Sequence, residues 1–169
     1  KSLVVLQFAL ASFLIIGTMV IYSQFNFLTN TDLGYDDTNI VEISKNIHSH
    51  GEAAIFKNEL LKSPDIIDVA PKNGGGWRTT AKIDNDSSIQ FNYETVDESY
   101  IPMMKIPLLK GRNFSKDYPA DSTNSVIVNE AFVKQAGWKD PIGQSVKFFF
   151  NNETCRVIAS HDISLLFIN

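Results

Sequence analysis

The sequence is poor in the residues that most often build reactive sites. It contains one cysteine and three histidines among 169 residues. Cys155 has no second cysteine to pair with, which excludes an internal disulfide and leaves the redox compartment open. His48 and His50 could place two imidazoles on one side of an extended segment, but no third ligand follows at metal spacing and His161 is remote. The sequence therefore predicts no metal site and no bound cofactor.

Signatures of catalysis are equally scarce. The serines and the cysteine lack a G-x-S-x-G elbow or a cysteine-histidine signature. Adjacent carboxylates at 36–37 and 97–98 are typical of a solvated surface rather than of an acid-base pair. The three glycines at 74–76 precede neither a G-K-[ST] sequence nor a helix, which excludes a phosphate-binding loop. We therefore expect that the chain is not an enzyme.

Charge is missing from one long stretch near the start of the chain. Residues 2–31 contain no Asp, Glu, Lys or Arg, and residues 3–22 are almost entirely apolar. About 20 such residues in a helix cross a hydrocarbon layer of roughly 30 Å. The stretch is longer than the apolar part of a cleavable signal, and aromatics follow it where a peptidase needs small residues. Tyr22, Phe25 and Phe27 instead fit an interfacial belt. The apolar run from Leu3 to Tyr22 is thus predicted to be a membrane-spanning helix.

Two further features of this span bear on its role. Lys1 is the one basic residue before it, so the positive-inside rule predicts a cytoplasmic N-terminus and an outer location for everything after Asn26. Gly17, with Ser12 and Ala9, forms a strip of small residues on which another membrane helix could pack. Chance composition explains that strip equally well.

The remaining 140 or so residues are enough for one compact domain or two small subdomains. The net charge of −4 and the pI near 5.3 do not favour a nucleic-acid or anionic-membrane partner. The pattern predicts an α+β fold that opens with a β-α-β unit whose two strands lie side by side. The predicted elements of this part are a strand at 39–43, a helix at 52–62, and strands at 66–70, 77–83 and 88–95, the last two joined by a hairpin loop at 84–87.

The second part is predicted to be a strand-helix-hairpin unit. It begins with a helical turn at 98–104, after which residues 106–109 run into a turn at 110–114 that has Gly111 at its bend. A buried strand at 125–129 is followed by a helix at 130–136, with Asn129 as N-cap and Gly137 as C-cap. Strands at 145–150 and 154–160 are expected to pair as a hairpin.

Several motifs together resemble the MacB/FtsX family of ABC-transporter permeases. The span is followed by D-L-G-Y-D at 32–36, and a Y-x-x-x-M-x-I-x-L-x-x-G-R-x-F segment occupies 100–114. An I-V-N-E-A-F step from strand to helix occupies 127–132, and a W-K-D-P-I-G turn occupies 138–143. The resemblance implies structural roles for Asp32, Gly34, Tyr100, Gly111, Arg112, Phe114, Asn129, Glu130, Trp138, Pro141 and Gly143.

By this resemblance, the chain is a non-catalytic permease component whose periplasmic domain transmits ATP-driven motion to a substrate or an adaptor. It implies an inner-membrane location with the main domain facing the periplasm. The implied partners are a separate cytoplasmic ATP-binding subunit, the rest of the permease, and a periplasmic adaptor that leads to an outer-membrane channel. The extracellular ligand-binding domain of a membrane signalling receptor is the alternative, since it also begins with one span and continues into a mixed α/β domain.

The predicted domain boundaries follow these patterns. The membrane helix and its exit occupy 1–28, the first subdomain 29–98 and the second 99–160. Residues 161–169 depart from the family pattern, with only Asp162, Ser164 and Leu165 matching it and Ala159 in place of an expected glycine. We expect this tail to belong to a shortened permease.

Overall fold

The computed structural model describes residues 1–31, 34–47, 49–73, 76–83, 87–149, 153–161 and 166–168. These residues fall into two compact units, one at 1–33 and one at 34–169.

The first unit is a single helix, α1 (Ser2–Asn30), of 29 residues. It is about 43 Å long, enough to cross a bilayer with some tilt. None of its residues is buried, and the side chains of Leu3, Tyr22, Phe25 and Phe27 are among the large apolar groups that it exposes. Within the described residues, α1 is the one helix that is long and apolar enough to span a membrane, a property that leader sequences share. The predicted helix is therefore confirmed as a helix.

In its described residues, the second unit contains one seven-stranded sheet and four helices. Its elements are α2 (His50–Leu60), β1 (Trp77–Lys82), β2 (Ser88–Thr95), α3 (Tyr100–Met103), β3 (Leu108–Gly111), α4 (Asp121–Asn124), β4 (Ser125–Asn129), α5 (Glu130–Gln135), β5 (Ser145–Phe148), β6 (Thr154–His161) and β7 (Leu166–Ile168).

The sheet closes on itself. Its strand order is β3-β6-β4-β7-β2-β1-β5, and β5 also pairs with β6. Six strands therefore form a ring, in the order β6, β4, β7, β2, β1 and β5. β3 lies outside this ring and pairs with residues 159–161 at the end of β6. β4 and β6 are parallel, as are β2 and β7, while the remaining pairs are antiparallel. Closure leaves few unpaired strand edges to attract other chains.

Alternation along the strands separates the apolar side chains into two clusters. The inner cluster lies within the ring and includes Phe91, Val126 and Phe132. The outer cluster lies on the opposite side of β4, where Ile127 points, and includes Tyr100 and Phe114. All five residues of β4 are buried because both of its faces are covered. The outer cluster is the layer on which the candidate site is built.

The opening β-α-β unit was predicted wrongly. The helix is present as α2, with the Ser49 hydroxyl accepting the Glu52 N–H at 3.2 Å as an N-cap. Segments 39–43 and 66–70 form no strands, because neither finds a neighbouring strand among the described residues. Val41 and Ile67 are accordingly 81% and 98% exposed.

The later elements agree with the sequence, apart from shifts of one or two residues at some of their ends. β1 and β2 pair antiparallel, β5 and β6 form the expected hairpin, and the helical turn, β4 and α5 are in place. The boundary predicted at residue 98 does not separate two sheets, because β1 pairs with β5 and β2 with β7. The predicted tail contributes β7 to the sheet, while Asp162, Ser164 and Leu165 lie outside the described residues, as do His48, Gly74, Gly75 and most of the hairpin loop at 84–87.

Candidate functional site

The first residues of the second unit are attached firmly to the turn after α3. The Asp36 N–H donates to the Met104 carbonyl at 2.8 Å, and Lys105 Nζ lies 2.6 Å from Asp36 Oδ2. The Thr38 N–H donates to Asp36 Oδ1 at 2.9 Å. The hydrogen bond from Lys105, followed by those from Thr38, holds the pKa of Asp36 well below its usual range. We call residues 34–38 together with Met104 and Lys105 the junction.

Neighbouring side chains give the junction an apolar base. Gly34 takes a left-handed φ of 78°, which favours glycine at this position of the motif. The Tyr35 side chain packs on the outer cluster. Asp32, the first residue of the same motif, lies outside the described residues.

Tyr100 is the buried centre of the site. Together with Ile101 it anchors α3 in the outer cluster. Burial, with the nearby Glu94 carboxylate as the next cause, raises the pKa of Tyr100 to about 12, so the hydroxyl keeps its proton. Glu94 is itself buried, and its Oε2 has no hydrogen-bond partner in the described structure. A protonated Tyr100 hydrogen-bonds to Glu94 and fixes α3 against β2.

A second ion pair connects α2 to the start of α3. Lys57 Nζ lies 2.7 Å from Asp97 Oδ2 and donates to Ser99 Oγ at 2.9 Å. Asp97 Oδ1 in turn accepts the Ser99 N–H at 3.1 Å. Burial raises the pKa of Asp97, against the opposing effect of Lys57. Both α2 and the junction are therefore tied to α3.

The G-R-x-F part of the motif links α3 to the sheet. Gly111 has a φ of 84°, and a Cβ there would lie 2.1 Å from the Ile158 carbonyl oxygen, so only glycine lets β3 approach β6 this closely. Asn113 Nδ2 donates to the Glu98 carbonyl at 2.7 Å. Phe114 is buried in the outer cluster. These contacts seat α3 on β3 and β6.

Arg112 holds the loop that follows. Its guanidinium makes a two-bond pair with the buried Asp121, at 2.5 and 2.9 Å, and stacks 3.9 Å from the Tyr118 ring centroid. Asp121 also accepts the Ser115 N–H and the Ser125 hydroxyl. Burial alone would raise the pKa of Asp121, but Arg112 and the other donors outweigh it, and the pKa is lowered. The pair fastens the loop at 112–125 to the start of β4.

The remaining motif residues lie around α5, on the other side of the sheet. The Asn129 side chain accepts the Phe132 N–H at 2.8 Å, which confirms the predicted N-cap, and Glu130 pairs with Lys134 at 2.9 Å. Trp138 packs edge-on against Phe132, with ring centroids 5.7 Å apart. Pro141 is buried, and Gly143 turns the chain with a φ of 81°. These residues support the inner cluster and are not part of the junction.

The structure thus brings together only part of the predicted set of residues. Gly34, Tyr100, Gly111, Arg112 and Phe114 lie along one path from the junction to the sheet. Lys57, Lys105 and Asp121 complete that path and were not predicted. Lys105 and Asp36 are 69 positions apart, so no local pattern could have paired them.

The site consists of contacts between elements that are distant in the sequence. Within the described residues, no group of three or more His, Cys, Asp and Glu side chains could hold a metal ion. Paired charges and buried aromatic rings connect the junction, α2, α3 and the sheet in one continuous set of contacts.

Comparisons with known proteins point to one family. The family described as MacB-like periplasmic core domain matches residues 3–165. The periplasmic region of MacB from Actinobacillus actinomycetemcomitans is similar in structure, with a TM-score of 0.57 and 21% identity over 72% of this chain and 60% of that one. The chain therefore spans less than two thirds of that relative's length.

Two further solved structures share the fold. The extracellular domain of the noncanonic ABC-type transporter YknZ from Gram-positive bacteria has a TM-score of 0.53 and 16% identity, over 67% of this chain and 60% of that one. A domain of a putative permease protein from Porphyromonas gingivalis has a TM-score of 0.53 and 7% identity, over 66% of this chain and 54% of that one. No curated protein sequence matches the chain significantly.

Proposed function

Since the chain belongs to the MacB-like periplasmic core domain family, we propose that it is a permease component of an ABC-type transporter. The observation that carries the proposal is the family match over 3–165, which includes both the apolar helix and the folded domain. ABC-type transporters named among the structural relatives support it. In this role the chain itself performs no chemistry.

The junction suggests how the domain takes part in transport. A displacement of the chain just outside the membrane would first move Tyr35 and Asp36. The contacts with Met104 and Lys105 pass it to α3, and Gly111 and Arg112 pass it to the sheet. The periplasmic domain in this proposal transmits motion, driven by ATP hydrolysis elsewhere, to a substrate or an adaptor.

The proposal places α1 in the inner membrane, with Lys1 in the cytoplasm and the domain in the periplasm. The single native cysteine makes this easy to test, because Cys155 is buried and burial raises its pKa to about 11. A membrane-impermeant maleimide should therefore not label Cys155. In cells whose outer membrane alone has been permeabilised, Ser88→Cys, at an exposed position of β2, should be labelled. Ser2→Cys should not be labelled.

Labelling of Ser2→Cys but not of Ser88→Cys would show that the orientation is the opposite of the proposed one. Recovery of chains that begin after Phe27 and wash off membranes would rule out a retained anchor.

The proposed partners are a separate cytoplasmic ATP-binding subunit, the rest of the permease, and a periplasmic adaptor leading to an outer-membrane channel. The test is affinity purification of the full-length protein from detergent-solubilised membranes, probed for a co-purifying ATP-binding subunit. An ATP-binding subunit of an unrelated transporter is the matched control. We expect specific retention of the first. Recovery of neither subunit, or of a histidine kinase instead, would contradict the permease assignment.

A further inference from the structure

One face of the sheet carries a concentration of positive charge that no ion pair between described residues neutralises. The outward side chains of β1, β5 and β6 include four exposed cations, which we call the basic face: Arg78, Lys82, Lys147 and Arg156. The chain has a net charge of −4. Even so, none of the ion pairs between described residues uses any of these four. Within the described structure, these four side chains are therefore available to bind an anionic group.

The register of the strands places the four cations close together. Lys82 and Lys147 are direct partners on neighbouring strands, where like charges repel. Arg156 is paired with Ser145, which puts it on the diagonal from Lys147, roughly 7 Å away. Arg78 lies on the same face of β1, four residues from Lys82 or about 13 Å. This arrangement costs the isolated domain stability, and an anionic partner would remove the cost.

An exposed aromatic ring lies among these cations. Phe149 is 55% exposed, its N–H donates to the Thr80 carbonyl at 3.1 Å, and Lys82 Nζ lies 5.7 Å from its ring centroid. The ring borders an open groove whose other lining residues are Arg78, Thr79, Thr80 and Gln90. Aromatic and Arg side chains at the centre of a patch are typical of protein interfaces.

The spacing of the charges favours an acidic protein segment over a single phosphate group. On one face of an extended strand, alternate side chains recur about every 7 Å. This repeat is close to the distance between Lys147 and Arg156 and about half of the distance between Arg78 and Lys82. A phosphate site needs donors that converge on one point. The four cations are instead spread over three strands.

We propose that the basic face docks an extended acidic segment of a partner protein, with Phe149 as its apolar contact. This goes beyond the permease assignment and does not depend on it, since it follows from the domain surface alone.

The test uses the full chain in a nonionic detergent and a fluorescently labelled peptide of alternating glutamate and threonine. A peptide of alternating glutamine and threonine is the control ligand. The key variant is R78Q/K82Q/K147Q/R156Q. Its matched control is K62Q/K110Q/K134Q/K139Q, which removes the same charge at exposed positions away from the basic face.

We expect the glutamate peptide to bind, and the first quadruple variant to weaken binding by about tenfold or more while the second changes it by less than about threefold. Binding should also weaken as salt approaches about 0.15 M, where exposed charges are screened. F149A should weaken binding without changing its salt dependence. No binding of the glutamate peptide, or equal losses in the two quadruple variants, would overturn the proposal. Binding to phosphatidylglycerol vesicles but not to the peptide would overturn it in favour of a lipid surface.

Discussion

Replacing Gly111 with alanine should disrupt the connection between β3 and β6. The new Cβ would lie 2.1 Å from the Ile158 carbonyl oxygen and 2.7 Å from Ala159 Cα, both backbone atoms of β6. β6 is held on its other edge by β4, so β3 must move away instead. The left-handed conformation costs about 1–2 kcal/mol in an L-residue. Loss of two β3–β6 hydrogen bonds adds roughly 2 kcal/mol, and the lower entropy of the unfolded alanine variant offsets up to about 1 kcal/mol, giving about 3 kcal/mol in all.

Gly143→Ala is a sharp control for this prediction. Gly143 has nearly the same φ, 81°, but a Cβ there meets nothing within 4 Å. It should cost only about 1 kcal/mol, because the conformational penalty remains and unfolded-state entropy offsets part of it. The assay is urea unfolding of the full chain in mild detergent, followed by the tryptophan fluorescence of Trp77 and of Trp138, the second of which packs on the inner cluster. Equal losses of stability in the two variants would refute the argument that close approach of the backbone selects glycine at 111.

Three further substitutions test the supporting contacts. Arg112→Gln should destabilise the domain by roughly 2 kcal/mol at pH 7, a figure reduced because Arg112 is partly exposed. The pKa of Asp121 is lowered in the folded state, so the contribution of this pair is present above about pH 4 and is lost as pH falls through the folded pKa. Wild type and Arg112→Gln should therefore converge in stability on acidification, and a constant difference down to pH 3 or so would contradict this. Asn129→Ala should cost about 1 kcal/mol through loss of the α5 cap, and Asn129→Ser much less. Phe132→Ala, which leaves a cavity in the inner cluster, should lower the free energy of unfolding by about 3–5 kcal/mol in the same assay. A loss as small as that of a surface substitution would argue against a packed interior within the ring of strands.

The parts of the fold that the sequence predicted are those with local causes. β4 is a run of apolar residues, and Asn129 caps the helix that follows it within three positions. The hairpin of β5 and β6 likewise joins neighbours in the chain. Segments 39–43 and 66–70 have strand-like alternation, but a strand also requires a neighbouring strand, and alternation does not reveal one.

The candidate site was predictable only in part for the same reason. Tyr100 and Gly111 belong to a contiguous motif, so the sequence pointed to them. The Lys57–Asp97 and Lys105–Asp36 pairs join residues 40 and 69 positions apart, and their partners become apparent only in the folded chain.

The proposed route of motion from the membrane to the sheet can be tested by hydrogen exchange. The measurement compares exchange in the full-length protein, assembled with its ATP-binding subunit in a lipid bilayer, with and without a trapped ATP analogue. Nucleotide should change the exchange of the Asp36 N–H, the turn at 103–106 and β3 together, because these groups form one connected path. Unchanged exchange throughout residues 34–111, in a complex that binds the nucleotide, would contradict the account.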